Sequence, residues 1–218
     1  MDGQEYLDQI SRKNKPVKKS GGASSIFSSK FFIVGMIGVV GVVLMMILGM
    51  LVGGEKGGEK NTCLELKLHL ENTSELIKEY QNSVRSSNLR SISASLYGLL
   101  SNTEREVTTY LVEKYKFKDN KNNYEKTVSK KILNAANSAK EELNTELFSA
   151  KINGILDRIY AHKMAYEISV FIAEENKLMN ETKNDTLKAS LLSSRQSLEN
   201  LYTSFEDFSE TKPGGQQP

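Results

Sequence analysis

Apolar residues in the downstream two thirds of the chain recur at intervals of three and four. Leu187, Leu191, Ser194, Leu198, Leu201, Phe205 and Phe208 make one such series, and Asn184, Asp185 and Thr186 ahead of it supply N-cap oxygens. Leu66, Leu70, Thr73, Ile77, Tyr80 and Val84 make a second series, followed by a break at Ser86, Ser87 and Asn88. A third runs through Leu89, Ile92, Leu96, Leu99, Thr103, Val107 and Tyr110 and ends near Phe117, before a polar loop at residues 118–123. Val128, Ile132 and Leu133 mark a short helix. Ser138 and Glu141 have capping-box spacing, and Phe148, Ile152, Ile155, Ile159, His162, Tyr166, Ser169 and Ala173 then hold one phase across Asn153 and Gly154. That phase predicts one unbroken helix over 141–182, with His162 on its core-facing stripe.

Turn-forming residues are scarce in the same region. No proline lies between Pro16 and Pro213, and Gly98 and Gly154 are the only glycines between Glu59 and Lys212. A sandwich or barrel needs turn chemistry every few residues, so a β domain is excluded. The predicted fold class is all-α: a single N-terminal transmembrane helix plus an elongated antiparallel helical bundle of four long helices and one short one.

Upstream the pattern changes from periodic to continuous. Residues 31–52, Phe31 to Val52, are 22 positions without a charged or strongly polar side chain. A helix of that length spans roughly 33 Å, enough for a ~30 Å hydrocarbon core. It is longer than the apolar region of a cleavable signal, and no small-residue cleavage site follows it, so it reads as an uncleaved anchor. Arg12, Lys13, Lys15, Lys18, Lys19 and Lys30 precede the span, whereas Lys56 and Lys60 after it each stand beside a glutamate. This asymmetry predicts a cytoplasmic N-terminus, with the rest of the chain outside the plasma membrane. The expected organisation is a basic disordered tail over 1–30, a transmembrane helix over 31–52 and a flexible spacer over 53–61. An extracytoplasmic bundle over 62–210 and a disordered tail over 211–218 follow. Gly49 and Gly53 stand four apart at the end of the span, a spacing that lets two membrane helices approach closely.

Charge narrows the class of partner. The formal net charge is +2, and residues 61–218 are slightly acidic, so the large domain lacks the basic face that nucleic acid requires. The lone Cys63 excludes an intramolecular disulfide framework and a multi-cysteine metal site; placed just beyond the spacer, it is expected in an accessible segment, free or paired with a second chain. The Lys, Asn, Ile and Glu bias suggests a low-GC bacterial genome.

Candidate chemistry is sparse. Glu65 and His69 share a helix face but make only two ligands, which do not form a metal site, and a solvated face is the expectation. The densest polar stretch places Arg158, His162 and Tyr166 one helical turn apart, a set able to recognise an anionic ligand or to fix helix register in the core. There is no phosphate-binding glycine loop, no nucleophile elbow and no HExxH motif. No cofactor, metal or catalytic residue is expected. The layout is similar to the extracytoplasmic helical sensor bundles of chemoreceptors but lacks their second span and large cytoplasmic part, so no residue role carries over. The expected function is binding, scaffolding or accessory work in the cell envelope, with the lipid bilayer and a protein partner or a second copy as its contacts. The alternative is a small-molecule sensor with a pocket near His162.

Overall fold

The computed structural model describes residues 58–120 and 124–210. Among these residues every regular element is helical: α1 (Gly58–Tyr80), α2 (Ser87–Tyr115), the single turn α3 (Tyr124–Thr127), α4 (Lys130–Ile152), α5 (Leu156–Glu181) and α6 (Asp185–Glu210). The all-α expectation holds in this coarser form, with five long helices rather than four. The predicted tail, the span over 31–52, Gly49, Gly53 and the far end of the chain lie outside the described residues. Among the described residues no helix is long and apolar enough to cross a membrane.

Four helices close a ring in which α1 packs on α2, α2 on α6, α6 on α5 and α5 on α1. Side-chain pairs give the directions. Glu59 meets Lys114 while Lys67 meets Glu104, so α1 and α2 are antiparallel. Thr103 meets Ser194 and Glu106 meets Ser190, which makes α2 and α6 antiparallel. Glu175 meets Ser194 and Tyr160 meets Phe205 between α5 and α6, again antiparallel. The fifth helix, α4, lies against both α1 and α5. It runs parallel to α1, because Asn72 bonds the carbonyl of Ala136 and Tyr80 bonds Asn144.

α1 is therefore covered on several sides. Leu64, Leu66, Leu68 and Leu70 are all buried, although successive members differ by roughly 200° around the axis. The stripe from Leu66 to Val84 is buried as expected, and Cys63, Leu64, Leu68 and Leu76 add a second buried surface. The helix starts at Gly58, within the predicted spacer, and continues through Cys63. Cys63 is fully buried in the hydrophobic core, not in an accessible segment, and burial pushes its thiol up to about 12. A disulfide between folded chains through Cys63 is excluded by this position.

The predicted helix over 141–182 is two helices. Ser138 sits in the middle of α4, whose N-cap is Ser129, accepting from the N–H of Ile132 at 3.3 Å. The chain reverses at Asn153 and Gly154. The N–H of Ile155 donates to the carbonyl of Ala150 at 3.0 Å and that of Gly154 to Lys151 at 3.2 Å, a Schellman motif with Gly154 at φ +71°. This break reverses the assignment of faces. Leu143, Leu147 and Ala150 of α4 and Leu156, Tyr160, Met164, Ala165, Ile168 and Phe171 of α5 are buried instead of the expected stripe. Phe148, Ile152, Ile155 and His162 are exposed.

The remaining connections are capped from within. Ser86 caps α2, and the Asp157 carboxylate of α5 accepts the N–H groups of Arg85 at 2.9 Å and Ser86 at 2.8 Å, tying the α1–α2 corner to the start of α5. Asn184 caps α6 by accepting from Leu187 at 2.8 Å, as its sequence suggested.

Leu198 is fully buried in α6, so Leu198→Ala should destabilise the bundle by about 2–5 kcal/mol and lower its Tm by several degrees. His162→Ala removes an exposed side chain and should stay within about 0.5 kcal/mol of wild type. Thermal denaturation of the two variants checks both, and comparable losses would contradict the assignment of faces.

Candidate functional site

Among the described residues, buried and half-buried polar side chains form several clusters, with Lys67, His69 and Glu175 each at the centre of one. The first is Lys67, on the α1 face that meets α2 and the 116–129 crossover. It is 1% exposed. Its Nζ lies 3.1 Å from Glu71, 3.0 Å from Glu104 and 3.1 Å from Asp119, and it donates to the Tyr124 hydroxyl at 2.7 Å. The ammonium also stands 5.1 Å from the centre of the Tyr124 ring. The Tyr124 hydroxyl in turn donates to Asp119 at 2.8 Å. Burial alone would push the Lys67 pKa down, but Tyr124, Glu71 and Glu104 outweigh it and hold the lysine above its ordinary value. One ammonium thus gathers α1, α2, α3 and the crossover around a single point, where three carboxylates meet one positive charge.

A groove of about 310 Å³ opens beside Lys67 between α1 and α2. Glu71, Ser74 and Lys78 follow Lys67 along it at helical spacing, and Tyr97, Ser101 and Glu104 face them from α2. Ser74 is 8% exposed, and its Oγ has no hydrogen-bond partner.

The second place is His69, one turn from Glu65 on α1. Its Nε2 is 2.7 Å from Glu167 and its Nδ1 2.9 Å from Glu174, both on α5, and its ring lies 4.3 Å from that of Phe171. The sequence expectation of a solvated face is corrected: α5 covers the ring and places a carboxylate on each nitrogen. Burial lowers the imidazole pKa, but Glu174 and Glu167 overcome that and raise it to about 10. The ring is an imidazolium at neutral pH, donating through both nitrogens. Glu65 instead faces Lys177 at 3.5 Å. Among the described residues no group of histidine, cysteine and carboxylate side chains could hold a metal ion.

The third place is Glu175, fully buried between α5 and α6. Its Oε1 accepts from the Ser194 hydroxyl at 2.7 Å, Ser194 lies 2.8 Å from Thr103, and Oε2 has no partner. Burial raises this carboxyl to about 8, against the opposing pull of Ser194. Reading Ser194 as a core position was correct; its acidic partner falls outside the α5 stripe read from the sequence.

Arg158, His162 and Tyr166 do share one face of α5, as their spacing requires. That face points away from the core: Arg158 and His162 are exposed, and Tyr166 is half-buried with a hydroxyl lacking a partner. The groove beside Lys67 has no member of this trio in its lining. Lys67, Glu104 and Glu175 were missed by sequence reasoning. Only Lys67 carried a signal, a charged residue interrupting an apolar run between Leu66 and Leu68; Glu104 and Glu175 stand among polar neighbours.

Two predictions follow from the titrating groups. The folded pKa of His69 stands above its unfolded value, so its contribution to stability is complete below about 6.5 and is lost as pH rises through about 10. The His69 ring resonances in an NMR titration should keep the imidazolium position through neutral pH; a midpoint near the ordinary histidine value would contradict the paired geometry. Glu175 also has a raised folded pKa, but it is an acid. The folded state keeps its proton where the unfolded state has lost it, so stability falls as pH rises from about 4.5 and levels off beyond about 8. Glu175→Gln removes this titration and should make the wild-type loss of Tm between pH 5 and 8 smaller. An unchanged slope would show that Glu175 is ionised in the folded protein.

Compared with protein-family models, with curated proteins and with solved structures, the chain matches none.

Proposed function

We propose that the chain is a single-pass membrane protein of the bacterial cell envelope, with its N-terminus cytoplasmic and its helical bundle outside, acting by binding a protein partner or a second copy. The anchor reading rests on the apolar run over 31–52 and the basic flank before it. The binding reading rests on one observation: the α4–α5 reversal exposes three large apolar side chains. Phe148 is 56% exposed, Ile152 69% and Ile155 47%. Single exposed apolar residues are ordinary, but three within eight consecutive positions at a helical corner form a patch suited to protein contact. The corner sits beside Arg85 and Asp157, at the end of the bundle remote from Gly58, roughly 35 Å along α1. The proposal assigns no catalytic role: the buried ionic groups hold helices together.

A photo-crosslinking residue replacing Phe148 or Ile152 in native membranes tests the reading, with the exposed Gln196 of α6 as the control position. The tip positions should give a discrete adduct, either a dimer or a complex with one partner, which Ile155→Asp weakens. The chain should stay with the membrane after an alkaline wash. Equal adducts from Gln196, or none from the tip, would overturn the binding reading; release by the wash would overturn the anchor.

A further inference from the structure

We infer that the crossover from the end of α2 to the start of α4 is a basic surface that docks on anionic phospholipid headgroups. The slightly acidic total of residues 61–218 conceals a local surplus. Residues 114–131 carry seven lysines against two acids, Asp119 and Glu125. The rest of 61–218 carries 14 lysines and arginines against 20 acids. Positive charge is thus gathered in one stretch of a domain that is otherwise acidic.

The fold turns these lysines outward. Lys116, Lys118, Lys126, Lys130 and Lys131 are all exposed, and none is ion-paired with another described residue. The neighbouring carboxylates are directed at other ammonium groups. Glu71, Glu104 and Asp119 surround the buried Lys67 at 3.1, 3.0 and 3.1 Å, and Glu59 stands 2.6 Å from Lys114. Phe117 and Tyr124, both buried with ring centres 6.0 Å apart, hold the crossover on the bundle from within. Even with Lys67 and the adjoining Glu59, Glu71, Glu104 and Glu113 counted in, eight lysines face six acids. The crossover therefore presents an outer row of ammonium groups over an inner layer of ion pairs.

Residue type narrows the partner. The stretch holds no arginine. A lysine ammonium is a point charge on a flexible stem and lacks the planar fork that reads one particular phosphate or base edge. A row of lysines suits a mobile sheet of phosphates, and a cluster of about four to eight basic residues beside a membrane span is the size that holds anionic lipid. The choice of a bilayer among polyanions rests on the anchor proposed above. The apolar run ends at Val52, six positions before Gly58, and Glu59 meets Lys114, the first lysine of the stretch. Along the chain, the proposed span thus adjoins the basic end of the bundle.

Fluorescence quenching of the full chain in lipid nanodiscs tests the inference. Asn120→Cys carries a dye on the crossover and Asn88→Cys carries it at the far end of the bundle; both positions are exposed, while the native Cys63 is buried and stays unlabelled. The discs contain phosphatidylcholine and a headgroup nitroxide lipid, with or without phosphatidylglycerol. Phosphatidylglycerol should increase quenching at Asn120→Cys severalfold and leave Asn88→Cys unchanged, and high salt should remove the increase. The combined reversal Lys118→Glu, Lys126→Glu and Lys131→Glu, at exposed positions, should return quenching to the phosphatidylcholine level. Circular dichroism melts show whether this variant folds; if it does not, glutamine at the same three positions takes its place with an expected partial loss. Equal quenching in the two lipids overturns the inference, as does a phosphatidylglycerol effect that the substitutions leave intact. Displacement of the crossover by a single-stranded oligonucleotide at matched ionic strength also overturns it, by assigning the surface to a soluble polyanion. Failure of the anchor is read separately, since the chain then elutes apart from the discs. In that case the chain is sedimented with phosphatidylglycerol vesicles: binding that the reversal abolishes upholds the surface, and absence of binding overturns it.

Discussion

The structure depends on the burial of α1 against three other long helices. A helix covered in that way takes some of its charged residues out of water: Lys67 is buried and His69 half-buried, while Glu75, Lys78 and Glu79 stay exposed. Lys67 and His69 must each be neutralised by a neighbour. α5 supplies Glu167 and Glu174 to His69, while α2 and the crossover supply Glu104 and Asp119 to Lys67. These pairings place α2, α5 and the crossover at fixed registers on α1, which apolar contacts between leucines would leave less specified. Buried ionic groups add little net stability against an apolar alternative of the same shape, so register is the better account of their presence here.

Glu175 follows a different rule. No cation is hydrogen-bonded to it, and one oxygen is left without a partner inside the α5–α6 interface. The side chain is tolerated because it can take up a proton, which exchanges the cost of a buried charge for that of a half-satisfied carboxyl. The three polar centres therefore respond differently to pH. His69 and Lys67 remain charged at neutrality, whereas Glu175 titrates near it, so mild alkalinity acts first on the packing of α5 against α6.

Much of the bundle was legible because of where helices meet the core. α6 lies at one edge of the ring with a single buried face, and Leu187, Leu191, Ser194, Leu198 and Phe205 are all buried as their spacing implied. α2 behaves similarly. α4 and α5 were misread, since a continuous apolar phase running from Phe148 to Ala173 concealed a reversal. Asn153 and Gly154 carry the turn chemistry, with Gly154 at positive φ, and this local signal overrides the apolar periodicity that runs across it. The stripe was real as a pattern and wrong as a core, because a helical corner interrupts the phase and the two helices bury other faces.

The sequence by itself determined the helical class, the break at Ser86, the cap at Asn184, the buried faces of α2 and α6, and the absence of an intramolecular disulfide framework. These follow from local chemistry: dihedral preferences, capping oxygens and periodicity act within a few residues. Only the tertiary structure decided which charged side chains meet. His69 reaches Glu167 and Glu174 across roughly a hundred residues, and Lys67 reaches Tyr124 across 57 positions. Such pairs have no spacing rule, because they are set by how whole helices stack. The same stacking buried Cys63, exposed His162 and left the groove beside Lys67 open.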